Sequence, residues 1–152
     1  MRYRILAIGK SRSGPFTQLR TLYARRIVPA PAIVELEERR RLPPPLLKER
    51  EAELILNVLP SGVPLVALDE RGSLRSSRDF ADRLAGLRDR GVAELAFAIG
   101  GADGLGAAVL ERAQETLSLG PMTWPHLMVR GMLLEQLYRA QQILAGHPYH
   151  RE

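Results

Sequence analysis

Three stretches of this chain gather residue types that do chemistry, and all lie in its second half. The first is AIGGADGLG at 98–106. Glycine lets a backbone approach a ligand closely and adopt positive φ. The spacing is neither GxGxxG nor GxxxxGK[ST], and no lysine follows, so a phosphate-gripping loop is not indicated. Taken alone, the run reads slightly better as a tight turn from strand to helix. The second stretch is LSLGPMTWPH at 117–126, which crowds a Gly-Pro pair, the sole tryptophan (Trp124) and His126 into one turn. Pro125 suits a helix start, and the first N–H groups of a helix are free to meet a polar ligand. The third is the tail HPYHRE at 147–152. Histidine, tyrosine and arginine together can stack on bases and hold phosphate.

All three histidines, His126, His147 and His150, fall in the last 27 residues, yet their spacing matches no metal-ligand signature. There are no cysteines, which excludes disulfides and thiolate metal sites. No metal is expected.

These stretches must be held by regular elements. Strands are expected at Tyr3–Ile8, Ile33–Leu36, Val63–Leu68 and Val92–Ile99, with a short fifth at Leu119–Met122. Helices are expected from Pro15 through Ile27, at Leu46–Leu59, from a cap at Ser77 to Gly91, at Leu105–Leu117, and at Leu127–Leu144 with Gly146 closing it. RRRLPPP at 39–45 reads as a loop. The alternation predicts an α/β fold, a mostly parallel sheet with helices on both faces. In such sheets ligands bind at the carboxyl ends of the strands. Three strand ends stand out there: Leu68-Asp69, Ile99-Gly100-Gly101, and Met122 through His126.

The length of 152 residues fits one domain, 1–152, and no apolar run is long enough to span a membrane. No signal peptide is legible, so a cytoplasmic protein is the expectation. The net charge is +5, unevenly placed: residues 1–50 hold 12 Lys/Arg against 4 Asp/Glu, and residues 51–152 hold 10 against 13. A basic N-terminal third, including Arg25 and Arg26, can serve as an electrostatic footprint for nucleic acid or merely keep the surface solvated.

VALDERGSLRSSRDFA, FAIGGADGL, LSLGPMTWPH, VRGMLLEQLYRAQQIL and HPYHRE stand in the order found in the bacterial large-subunit rRNA pseudouridine-N3 methyltransferases, and the chain resembles that family from end to end. The resemblance implies the SPOUT superfamily, with a C-terminal trefoil knot that periodicity would not suggest. It implies S-adenosylmethionine as methyl donor, held at Leu68, Gly100, Leu119, Gly120, Pro121, Met122, Thr123 and Trp124. It implies a homodimer acting on 23S rRNA in the assembled ribosome, at a pseudouridine of helix 69. The tail residues Tyr149, His150 and Arg151 match a segment that the family needs for substrate or catalysis.

This chemistry suits the residue types. The cofactor brings its own electrophile, so glycine, leucine, methionine and tryptophan suffice to hold it. N3 of the base must lose a proton. His150 can accept it because imidazole titrates near neutrality; Asp103, Glu135 and water are alternatives. Gly100 is expected to meet the ligand, so that a side chain there would clash with it. Leu133, Leu137 or Met132 of the last helix are expected at a dimer interface. The tail is expected to add nothing to the core. The alternative from another class is a non-catalytic ribosome-binding factor; an enzyme with a dinucleotide site lacks its fingerprint.

Overall fold

The alternation of strand and helix folds into a single parallel sheet in the computed structural model, which describes residues 1–152. Along the chain come β1 (Arg2–Ile8), α1 (Pro15–Ala24), β2 (Ala32–Leu36), α2 (Pro44–Val58) and β3 (Leu65–Leu74). Then follow α3 (Ser77–Asp89), β4 (Glu94–Ile99), α4 (Ala107–Arg112), β5 (Glu115–Ser118) and α5 (His126–Leu144). The order across the sheet is β2-β1-β4-β3-β5, and every pairing is parallel. All carboxyl ends therefore lie along one edge.

β4 shows why the sheet is covered on both faces. Its sequence ELAFAI is buried at every position after the first. Leu95, Phe97 and Ile99 point into a core shared with α3 and α5, while Ala96 and Ala98 point into a second core with α2 and α4. Fully burying one such large apolar side chain contributes roughly 1.5–3 kcal/mol. The alanines keep the second face thin, so its helices come close: a Cβ on Gly106 would sit 2.8 Å from the Lys48 carbonyl oxygen. On the first face α5 packs against α1 at Gly131, where a Cβ would strike the Leu19 side chain.

Several elements depart from the sequence reading for physical reasons. A helix over Leu105–Leu117 and a strand over Leu119–Met122 are both corrected: α4 ends at Arg112, and β5 is Glu115–Ser118. Long-range bonds decide this. The Gln114 side-chain carbonyl accepts from the Leu65 N–H at 2.6 Å, and the Gln114 backbone N–H donates to the Leu65 carbonyl at 2.9 Å. Glu115 is then clamped by Arg75 at 2.6 Å and Arg83 at 2.9 Å. Ser76, not Ser77, caps α3, in a reciprocal pair with Asp79, while the Ser77 hydroxyl turns to Gln136 at 2.7 Å. α2 starts within the proline run, because a first turn needs no N–H donor. β3 continues past Leu68 to Leu74. Leu133 and Leu137 are 0% exposed in the chain's own core and cannot line a dimer interface; Met132 remains half-buried. No helix is long and apolar enough to cross a membrane.

Candidate functional site

The site begins with an irregularity in β3. Leu68 and Ser73 both pair with Leu117 of β5, so residues 69–72 leave the ladder. Gly72 permits the return, since a Cβ there would sit 2.8–2.9 Å from the backbone of Thr116 and Leu117. The excursion carries Asp69, Glu70 and Arg71 to the carboxyl edge. Buried Ser118 pins it: the hydroxyl lies 2.9 Å from the Glu70 carbonyl and 3.0 Å from that of Gly120, and accepts from the Gly120 N–H at 3.1 Å. Thr123 adds a hydrogen bond from its hydroxyl to the Glu70 carboxylate at 3.0 Å. Thus the loop after β5 is tied to the loop in β3.

The third wall follows β4. Gly104 donates to the Gly101 carbonyl at 3.1 Å and adopts φ +82°, closing a small turn. Gly100 serves this turn directly. A Cβ there would lie 2.6 Å from the Gly104 carbonyl carbon and 2.8 Å from the Leu105 nitrogen. The expectation that a side chain at Gly100 would strike a ligand is corrected: it would strike the protein's own backbone first.

Between these loops opens a cavity of about 370 Å³. Leu68, Gly100, Leu119, Gly120, Met122, Thr123 and Trp124 all line it; Pro121 is exposed in the same loop without doing so. Met122 is 71% exposed and Trp124 38%, so two apolar side chains stand at the mouth with little cover. The lining carries Asp69, Glu70 and Asp103 against Lys48 and Arg71, and Arg71 already bonds Asp69 at 3.3 Å. Such a balance fits a ligand with neutral rings and a positive centre, and it opposes a polyphosphate.

Sequence reasoning missed the supports behind this pocket. Arg130 is 1% exposed on α5. One guanidinium nitrogen donates to Glu35 at 2.6 Å, and another to the carbonyls of Ile8 and Gly9 at 2.6 and 2.7 Å; its Nε has no partner. Glu35 also accepts from the Ser11 N–H and hydroxyl, at 2.5 and 2.7 Å, and from Arg20 at 2.9 Å. Burial alone would raise the Glu35 pKa, but the Ser11 and Arg20 hydrogen bonds and the Arg130 charge outweigh it and hold it low. This network fastens the ends of β1 and β2 to the first turns of α5. The legible signal was a lone arginine among apolar residues in LMVRGMLL. His126, the first residue of α5, lines the cavity, and burial followed by the Arg130 charge keeps its pKa low, so it faces the cavity as neutral imidazole. Glu51, 9% exposed, packs beneath Gly101, and burial and then Asp103 raise its pKa.

The histidines do not converge. His126 lines the cavity, His147 accepts from the Tyr149 N–H at 3.2 Å, and His150 Nδ1 lies 3.1 Å from Arg139. No three His, Asp or Glu side chains are grouped as metal ligands.

The tail is not loose, which corrects the expectation that it adds nothing. The Tyr149 hydroxyl donates to Glu135 at 3.0 Å, and its ring meets Tyr138 edge-on at 4.8 Å. The Arg139 guanidinium lies over the same ring at 4.9 Å, and Glu152 bonds Arg78 at 2.5 Å. Burial, then the neighbouring Tyr23 and Glu135, raise the Tyr149 pKa, so its hydroxyl stays protonated. Arg151 is exposed. Glu135 borders a second cavity, of about 540 Å³, walled by side chains of α1, α3 and α5. The two cavities share Leu117, Leu119 and Gly120. Tyr149, His150 and Arg151 line neither one, so a single chain does not bring the tail into the glycine-loop cavity.

The family described as "Predicted SPOUT methyltransferase" matches residues 1–150. The "Ribosomal RNA large subunit methyltransferase H" of Paramagnetospirillum magneticum is 56% identical over 151 residues, covering 99% of each chain. The protein of the same name from Rhodospirillum centenum is 52% identical over the same span, again with 99% coverage of both. Among solved structures, a probable methylase family protein from Haemophilus influenzae superposes with a TM-score of 0.60 at 14% identity, over 99% of this chain and 70% of that one, a likeness of fold.

Proposed function

Because the chain belongs to the SPOUT methyltransferase family, and within it to the ribosomal RNA large subunit methyltransferases H, we propose that it methylates N3 of a pseudouridine in helix 69 of 23S rRNA, on assembled ribosomes in the cytoplasm. The observation that carries this reading is the meeting of three loops around one cavity with glycine backbone, apolar walls and an excess of carboxylates. S-adenosylmethionine, when bound, supplies a methyl group already activated on a positively charged sulfur. The residues present suit it. Asp69, Glu70 and Asp103 offer negative charge for the positive centre, and Leu68, Leu119 and Met122 offer apolar surface for its rings. Gly100 and Gly120 keep the backbone near, and the exposed Trp124 and Met122 stand where a base would enter.

The remaining chemistry is positioning and proton removal. Holding the donor methyl and N3 in line replaces a bimolecular encounter, which is worth several kcal/mol of the barrier. As the N3–methyl bond forms, the N3 proton must leave. We assign its acceptance to His150. Within one chain Arg139 donates to His150 Nδ1, so the lone pair becomes available only when that contact opens. Glu135 is a poor alternative, because Arg139 and Tyr149 hold one of its oxygens and Gln136 holds the other. The tail lies on the other side of the Leu119–Gly120 segment from the glycine loop, and this supports a homodimer in which a second copy's tail completes each site.

Two measurements test the reading. Titration calorimetry with S-adenosylmethionine should show one binding event per chain; absence of heat would leave only a ribosome-binding factor. His150→Ala should lose most methyl transfer at neutral pH and regain part of it as pH rises, because the base then ionises unaided. A uniform loss at every pH would assign His150 to positioning.

A further inference from the structure

The geometry points to a defined RNA-docking surface: the loops after β1 and β2, through Lys10, Arg12, Arg39 and Arg41, grip the phosphates that flank the target nucleotide. This rests on the rRNA reading above and narrows it from a basic third of the chain to two loops.

Five of the twelve cations in residues 1–50 are already committed to ion pairs. Arg4 bonds Glu94, Arg20 bonds Glu35, Arg40 and Arg50 share Glu38, and Arg2 lies 3.9 Å from Glu94. Those hydrogen bonds from Arg40 and Arg50 hold the Glu38 pKa down at about 2, so its charge persists, and Glu53, 2.6 Å from Arg50, offsets the second guanidinium. Lys10, Arg12, Arg39 and Arg41 are exposed and form no ion pair, and Glu37 is the one exposed carboxylate among them. Arginine's planar fork matches two phosphate oxygens at once.

Topology gathers these four. Both loops leave the carboxyl edge, where the cavity opens. They are bonded side by side: Gly9 N–H donates to the Leu36 carbonyl at 2.7 Å, and Ser11 N–H to Glu35 at 2.5 Å. Arg130 and His126 connect them to the cavity, since His126 Nε2 would lie 3.3 Å from a Cβ on Gly9. A strand bound across this edge therefore meets positive charge beside the pocket. Arg25 and Arg26 are different. They follow α1 at the opposite edge, and the Arg26 guanidinium lies 5.7 Å from both the Tyr23 and Tyr138 ring centres. Arg90, at the end of α3, is also exposed at that far edge.

The test uses the full chain and ribosomes lacking the modification. Binding is read by anisotropy of labelled protein across a range of salt. Lys10→Ala with Arg12→Ala, and Arg39→Ala with Arg41→Ala, should each weaken binding. Each lost phosphate contact should reduce the slope of log K against log salt by about 0.7–0.9. Affinity for S-adenosylmethionine, measured by calorimetry on the same variants, should not change. Arg90→Ala should match the parent in both. Parental slopes in both double variants, or an equal loss in Arg90→Ala, would overturn the docking surface. A parent chain with no salt-dependent ribosome binding would instead overturn the rRNA reading itself.

Discussion

At the residue scale, the pocket depends on glycines and one buried arginine more than on acids or bases. Gly100 faces the Gly104–Leu105 backbone. Gly100→Ala should therefore cost roughly 1–3 kcal/mol of stability, as overpacking does, and weaken S-adenosylmethionine binding as the turn shifts. Urea unfolding and calorimetry check this; unchanged stability would show that the turn yields freely. Arg130 carries the second prediction, through Glu35. The folded Glu35 pKa lies below the unfolded value of about 4.3, so its contribution to stability is present above that pH and fades as pH falls through the folded value. Glu35→Gln should melt below the parent at pH 6, and the gap should narrow towards pH 3. A constant gap would mean that Glu35 acts through packing and not charge. Arg130→Met leaves the carbonyls of Ile8 and Gly9 without their donor and should cost about 3–5 kcal/mol in the same urea assay.

At the scale of elements, β1, β4 and α5, and α2 beyond its proline first turn, were legible because each carries a strong local pattern. ELAFAI is apolar along almost its whole length, as a strand covered on both faces must be. The elements around β5 were not legible. Gln114 and Glu115 are set by partners in β3, in α3 and in the turn between them, 32 to 49 residues away, and no local period records such bonds. The cavity lining was legible from the quoted motifs at Leu68, Gly100 and Leu119 through Trp124, except Pro121. Its supports, Ser118, Glu35 and Arg130, were not, since each works through a contact distant in sequence. The tail belongs to this scale as well. Deleting residues 149–152 removes the Tyr149 hydrogen bond to Glu135 and its aromatic contact with Tyr138, together worth about 1–2 kcal/mol, and with them the Arg139 contacts to Tyr149 and His150 and the exposed Arg78–Glu152 pair. The truncated chain should unfold at slightly lower urea, bind S-adenosylmethionine like the parent, and lose methyl transfer by orders of magnitude. Full activity would remove the tail from the chemistry.

At the scale of the whole molecule, one carboxyl edge carries the cavity, the exposed Trp124 and Met122, and the free cations of the β1 and β2 loops. One chain does not bring its own tail to that cavity. Leu22, Leu74 and Met122 are exposed apolar side chains, and a second copy would cover some of them. Sedimentation should thus find a dimer at micromolar concentration; a monomer would contradict the shared site. Methylation of rRNA at N3 of a pseudouridine is read out by nucleoside mass spectrometry. Ribosomes lacking the modification, incubated with the protein and methyl-labelled S-adenosylmethionine, should yield labelled N3-methylpseudouridine from helix 69, and free 23S rRNA should yield little. Label on another nucleoside, or none in rRNA despite bound S-adenosylmethionine, would contradict it.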